Sequence, residues 1–387
     1  MTTQNSFDVA VIGAGVFGSW IAYRLRREGA SVVLIDSFGP GNSRASSGGE
    51  SRIIRMGYGP DEIYTRSAVR SFVLWSEFFE RIKPGPPLFH KTGVLWVARG
   101  EDAYCKATIK TLQAAGVSIE QLNTEELKNR YSQFQFDDQA WGILERESGA
   151  AMARRAVQAL AQQTAFDGTT IINEAVLPLN AKEAQPNSIT TSKGNRIFAQ
   201  QFVFACGPWL PKLFPKTLEG FIHVTRQEVF FFGTPGGDAR FSREQMPIWI
   251  DFNDLVYALP NLENRGFKLA IDAHGPEFDP DTGDRLVTNS SLQAVRDYLK
   301  RRVPELSDAP VTETRICQYE NTSNGDFLID RHPDFHNVWL VGGGSGHGFK
   351  HGPAVAEYVV SMLSGNGKVE PRFELASKGR KQQREVY

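Results

Sequence analysis

The stretch Gly13-Ala14-Gly15-Val16-Phe17-Gly18 constrains what this chain can fold into more than any other. An apolar run at residues 7–12 precedes it, and Val16, Trp20, Ile21 and Leu25 follow at helical spacing. Such a run reads as a parallel strand buried on both faces. A second run lies at residues 31–35, so strand, helix and strand form one crossover unit of about 30 residues. Gly13 permits the tight turn, Gly15 lets backbone approach a pyrophosphate, and Gly18 lets the helix pack on the strand. The helix start then faces phosphates with unpaired N–H groups and its positive dipole end. Asp36, closing the second run, can accept from ribose hydroxyls and would repel a 2′-phosphate. The motif therefore predicts a dinucleotide site, and not one for NADP.

A chain of 387 residues is long for one core, so two domains are expected. Helical periodicity recurs at residues 61–83, 101–115, 124–131, 150–166, 289–302 and 352–364, and residues 92–98, 196–206 and 337–342 read as strands. Short alternating runs crowd residues 220–275, as in an antiparallel sheet. The expected class is α/β: a discontinuous Rossmann-like cofactor domain from residues 1–85, 150–220 and 325–387. Residues 86–149 and 221–324 form an inserted α+β substrate domain built on an antiparallel sheet. The tail after residue 366 is expected to wrap the surface.

Two features select FAD over NAD. A Gly/Ser/Arg loop at residues 42–52 is placed to run along a second phosphate and ribitol, and a second glycine turn, Gly342 to Gly348, follows a buried strand. A nicotinamide enzyme needs neither. A net charge of −1 argues against nucleic acid or an anionic membrane as partner. No run of about 18 apolar residues exists to span a bilayer. The first seven residues lack the basic and apolar blocks of a secretory signal, and the last four match no peroxisomal or ER address. Cys105, Cys206 and Cys317 are too few and scattered for a disulfide framework or zinc site, so the cytoplasm is the expected compartment and no metal site is expected.

The chain resembles the monomeric sarcosine oxidase family of FAD-dependent amine oxidoreductases, which includes N-methyltryptophan, pipecolate and fructosyl amino acid oxidases. The resemblance runs from the N-terminal fingerprint through Ser51-Arg52-Ile53-Ile54-Arg55-Met56-Gly57-Tyr58-Gly59, Lys91-Thr92-Gly93-Val94-Leu95 and Ala205-Cys206-Gly207-Pro208-Trp209. Its most specific parts are Cys317-Gln318-Tyr319 with Phe327-Leu328-Ile329-Asp330, then Gly344-Ser345-Gly346-His347-Gly348-Phe349-Lys350. It implies an FAD domain plus an antiparallel substrate domain. Cys317 would bond covalently to the flavin 8α carbon, a reaction suited to a thiolate. Further cofactor contacts are implied for Val16, Phe17, Ser37, Arg44, Ser46, Ser47, Val176, Cys206, Gly207 and Trp209. In the second turn they are implied for Gly343, Gly344, Gly346, His347, Gly348 and Lys350.

Lys268 would be a fixed cation where oxygen is reduced, and Arg52 would lie beside the flavin ring. Arg55 and Lys350 would clamp the substrate carboxylate, with Tyr257 and Tyr319 as cavity walls and His347 near the flavin. The implied reaction sends hydride from an amine carbon to the flavin, lets water hydrolyse the imine, and reduces O2 to hydrogen peroxide. The expected partners are a small amine or amino acid and O2, acting on a monomer. One position departs from the sarcosine oxidases, which carry a histidine where this chain has Asp272. Fructosyl amino acid oxidases have an acid there. A carboxylate would attract hydroxyls or a second ammonium, so plain sarcosine is not the expected substrate. Alternatives are a fructosyl amino acid, a cyclic imino acid, or a dehydrogenase using an acceptor other than oxygen. His274 follows on what reads as the same strand face.

Overall fold

The computed structural model describes residues 6–83, 85–179 and 185–382. Most of the polar leader, residues 1–5, and the last five residues, on which the missing address was read, lie outside them.

The glycine motif sits where the apolar runs place it. Strands Ser6–Ile12 and Val32–Asp36 pair in parallel, with helix Val16–Arg27 between them in sequence. They belong to a seven-stranded sheet ordered Leu328–Arg331, Val338–Gly342, Arg196–Phe204, Ser6–Ile12, Val32–Asp36, Thr170–Asn173, with Ser188–Thr190 beside Arg196–Phe204. The alternation of each strand feeds two cores. Val9, Val11, Leu34 and Val203 face helices Val16–Arg27, Ala153–Phe166 and Gly352–Leu363 through Ile21, Leu160 and Val355. Ala10, Ile12, Val33 and Phe204 face Leu210, Phe214 and Leu218. Each fully buried large aliphatic or aromatic side chain contributes about 1.5–3 kcal/mol, so runs without polar residues are held as two-faced strands.

The second sheet has eight strands in the order Val311–Thr322, Ile222–Phe232, Phe267–Ile271, Val256–Leu259, Ile248–Asp251, Val94–Arg99, Ala140–Glu145, Glu120–Leu122. It is not wholly antiparallel as expected. Ile248–Asp251 runs parallel to Val94–Arg99. The two come from separate passes of the chain, so no hairpin imposes opposite directions on them. On one face Phe230, Phe232, Trp249, Phe267 and Leu269 pack against Val295, Tyr298 and Leu299 of helix Asn289–Arg302.

Register decides what the other face carries. Cys317 stands opposite Gln227, Lys268 opposite both Phe231 and Leu259, and Tyr257 opposite Ala270. Side chains alternate with period two, so Cys317, Tyr319, Lys268 and Tyr257 project from one face. The strand that carries Lys268 ends at Ile271. Asp272 and His274 therefore lie in the following loop rather than on a shared strand face. A three-stranded sheet of Arg52–Ile54, Gly149–Ala151 and Phe89–His90 takes the residues expected to open the helix at 150, which starts at Ala153 instead. The tail does more than wrap the surface: Phe373 is buried, and Arg372 bonds Asp61 at 2.7 Å and Asp326 at 2.5 Å.

Candidate active site

A cavity of about 680 Å³ runs between the two glycine turns. Gly13, Gly15, Val16 and Phe17 line one end, with Asp36, Ser37, Ser46, Ser47 and Val176; Cys206, Gly207, Trp209, Gly344, Gly346 and Gly348 line the rest. The turn needs its glycines. Gly13 has φ +101° and a Cβ there would overlap the Ala205 carbonyl; a Cβ on Gly18 would overlap the Gly13 carbonyl. Helix Val16–Arg27 has no acid in its first turn and no side-chain cap from Gly15, although Val16 N–H donates to Ser47 Oγ at 3.0 Å. Asp36 accepts from the Ala14 and Phe38 amides, each at 2.8 Å. Burial nonetheless lifts its carboxyl above the usual range.

Five expected cofactor residues lie off this cavity. Gly18 lets the helix pack, Gly343 takes φ +67° to shape its turn, and Arg44 places its guanidinium 5.0 Å from the exposed ring of Phe38. His347 and Lys350 line a second cavity instead.

That second cavity is small, about 80 Å³, and is bounded by the functional face of the second sheet. Arg55 is buried, its guanidinium 4.6 Å from the ring centres of both Tyr58 and Trp96. Lys350 Nζ donates to Tyr58 OH at 2.7 Å and to the His347 carbonyl at 3.0 Å. Burial, and then the Arg55 charge, hold Lys350 well below the usual lysine range. Tyr319 OH donates to Asp272 Oδ1 at 2.7 Å. Tyr257 has its phenol pushed above the usual range, chiefly by burial. Lys268 Nζ donates to Ser51 O at 2.9 Å and Ser51 Oγ at 3.2 Å, and burial plus the Arg52 charge bring it down to about 7. Arg52 Nη2 donates to Cys317 Sγ at 3.1 Å and to Ser46 O at 2.8 Å. His347 is buried rather than a solvated loop histidine. Arg52, Cys317, Tyr319, Gly346 and Phe349 line both cavities, so one wall joins them.

The family model for FAD dependent oxidoreductases matches residues 8–362. The chain belongs to the FAD dependent oxidoreductase family. Monomeric sarcosine oxidase of Bacillus sp. (strain B-0618) is 29% identical over 97% of this chain and 96% of its own length. Peroxisomal sarcosine oxidase of Mus musculus is 31% identical over 97% and 96%. Among solved structures, L-proline dehydrogenase from P. horikoshii shares the fold at a TM-score of 0.83, with 21% identity, covering 96% of this chain and 97% of that one. The match to sarcosine oxidases along nearly the whole of both chains makes this protein an FAD-dependent amine oxidoreductase.

The larger cavity fits FAD. Its volume lies within the roughly 300–1,000 Å³ of ligand pockets, Gly15 brings bare backbone to its wall where a Cβ would meet only Ser47 Oγ at 3.5 Å and otherwise take up cavity space, and Ser46 Oγ on its wall is buried without a hydrogen-bond partner. In this FAD-dependent oxidoreductase, sequence reasoning missed three supporting groups. Glu145 is fully buried and accepts from the Met56 amide at 2.8 Å, the Gly57 amide at 3.1 Å, Trp96 Nε1 at 2.8 Å and Ser148 Oγ at 2.7 Å. It thereby anchors the segment bearing Arg55. Glu320 lines the larger cavity with its carboxyl pushed up to about 7 by burial. Tyr58, fully buried, supports both Arg55 and Lys350. An acid or tyrosine gives no periodic signal, so only the Ser51–Gly59 motif pointed toward this corner.

Proposed function

We propose that this enzyme oxidises a small, carboxylate-bearing secondary amine and is reoxidised by O2 with release of hydrogen peroxide. The observation that carries the reading is the shared wall: Arg52, Cys317, Tyr319, Gly346 and Phe349 join a cofactor-sized cavity to a small one that holds Arg55 and Lys350. FAD, when bound, supplies a two-electron acceptor. The chain positions the rest. Arg55 and Lys350 grip the substrate carboxylate through charge-assisted hydrogen bonds. Arg55 is fixed by two aromatic faces, so its guanidinium costs little ordering on binding. Tyr257 and Tyr319 form the side of the cavity, and Lys268 stands on the same sheet face as the cation for oxygen reduction. Asp272, held by Tyr319, favours a substrate with a hydroxyl or second ammonium over plain sarcosine. The about 80 Å³ of space favours a compact or cyclic imino acid over a fructosyl amino acid.

The chain divides into an FAD domain at residues 1–85, 150–220 and 325–387 and a substrate domain at 86–149 and 221–324, and acts as a cytoplasmic monomer. No helix among the described residues is long and apolar enough to cross a membrane, and the three cysteines are free thiols.

Cys317 is the proposed point of covalent flavin attachment, its Sγ held by a hydrogen bond from Arg52 Nη2 at 3.1 Å. Acid precipitation of the purified protein should leave flavin colour in the pellet. Cys317→Ser should release the colour to the supernatant, and colour in the wild-type supernatant would refute attachment. Peroxide release across a panel of N-methyl, cyclic and fructosyl amino acids tests the substrate class. Activity confined to the fructosyl compounds would contradict the small-substrate reading.

A further inference from the structure

Behind the two cations a row of hydrogen-bonded side chains leads away from the small cavity. Lys350 Nζ is 2.7 Å from Tyr58 OH, Tyr58 OH is 2.7 Å from His351 Nε2, and His351 Nδ1 is 2.9 Å from Ser67 Oγ. Tyr58 and His351 are fully buried and Lys350 nearly so, whereas Ser67 is partly exposed on helix Glu62–Arg81. The row thus begins at a cavity wall and ends near solvent. His347 offers Nδ1 to the same hydroxyl at 3.2 Å, but its Nε2 meets the Gly325 carbonyl at 2.9 Å. A carbonyl cannot pass a proton on, so the Gly325 contact carries none onward.

The geometry points to a proton relay, Ser67–His351–Tyr58–Lys350, that sets the charge of Lys350 as the substrate carboxylate enters. It rests on the carboxylate clamp proposed above. Each member has both a donor and an acceptor role available, so the row has two hydrogen-bond arrangements, in both of which Tyr58 gives its one proton along the row rather than to His347 Nδ1. In one, Ser67 donates to His351 Nδ1, His351 Nε2–H donates to Tyr58, and Tyr58 donates to a neutral Lys350 amine. In the other, the Lys350 ammonium donates to Tyr58, Tyr58 donates to His351 Nε2, and His351 Nδ1–H donates to Ser67. Passing from the first to the second takes one proton from water onto Ser67. One hop follows along each hydrogen bond, and one proton arrives at Lys350; no electrons move. Burial and the neighbouring Arg55 charge favour the neutral amine in the empty site. A carboxylate beside it favours the ammonium. Arg55, Asp272 and Glu145 are the other charged groups felt by Lys350, and His347, Lys350 and Arg55 those felt by His351. Tyr58 and His351 act through Lys350 and are positioning residues.

The test follows proton uptake when the flavin-loaded enzyme is mixed with acetate. Acetate is a carboxylate with no amine to oxidise. A pH indicator in weak buffer reports the proton, and the flavin absorbance reports binding. In the wild type, uptake should keep pace with binding. Tyr58→Phe breaks the row, and His351→Gln keeps its hydrogen bonds but cannot relay. Both should bind acetate yet take up the proton about a hundredfold more slowly. Ser67→Ala should change little, because water can stand in its partly exposed place. Uptake as fast in both variants as in the wild type, or no uptake in the wild type, would overturn the relay and leave the clamp standing. Failure of acetate to perturb the flavin would instead overturn the clamp, and the relay with it.

Discussion

Replacing Lys268 by methionine should slow reoxidation of the reduced enzyme by O2 by a factor of about 10²–10³, the usual cost of removing one preorganised stabiliser of developing negative charge. Anaerobic reduction by substrate should change only a few-fold. Methionine keeps the length and apolar stem of the side chain, so what is lost is the charge that Ser51 holds in place. The same cation should give the reaction a pH dependence. Lys268 titrates at about 7, and only its protonated form stabilises an anion. Wild-type reoxidation should therefore be fast below that pH and fall as pH rises through it, while the methionine variant should be slow and flat. Stopped-flow mixing of reduced enzyme with oxygenated buffer checks both. A variant that reoxidises at the wild-type rate would remove Lys268 from oxygen chemistry.

Replacing Glu145 by alanine should cost about 3 kcal/mol or more of stability, because several buried donors lose one shared acceptor. Four donors would lose their acceptor: the Met56 and Gly57 amides, Trp96 Nε1 and Ser148 Oγ. Each buried donor left unpaired costs about 1–3 kcal/mol before relaxation. The site should suffer beyond the loss of stability. Arg55 lies against the Trp96 ring and donates to the Gly57 carbonyl, so loosening that segment should loosen the proposed clamp. Thermal unfolding should show the lost stability, and the variant retained at low temperature should show a raised KM for substrate with kcat less affected. A melting temperature within a degree or two of wild type would mean that water replaces the carboxylate.

The glycine motif and the two apolar runs were legible because buried parallel strands and a pyrophosphate turn leave few residue choices. The cation set, Arg52, Arg55, Lys268 and Lys350, came from the resemblance, and the sheet register explains why Lys268 shares a face with Cys317. Less legible was strand Val311–Thr322, which carries Cys317, Tyr319 and Glu320. Its sequence, VTETRICQYENT, mixes charge and polarity because the strand is a sheet edge whose later residues, Cys317 to Glu320, line the larger cavity. Arg44 lies off the larger cavity with its guanidinium beside the ring of Phe38, a placement that a basic residue in a glycine loop does not announce. Glu145 and His351 could not be singled out, since their roles depend on partners tens to hundreds of positions away.

The central claim is that this flavoenzyme takes electrons from an amine whose carboxylate lies on Arg55 and Lys350. Anaerobic titration of the purified enzyme with matched pairs, an N-methyl or cyclic amino acid and the same amine without its carboxylate, tests it most directly. Flavin absorbance should bleach with the amino acid and stay nearly unchanged with its partner at equal concentration. Equal bleaching by both members, or bleaching by neither across the panel, would contradict the account.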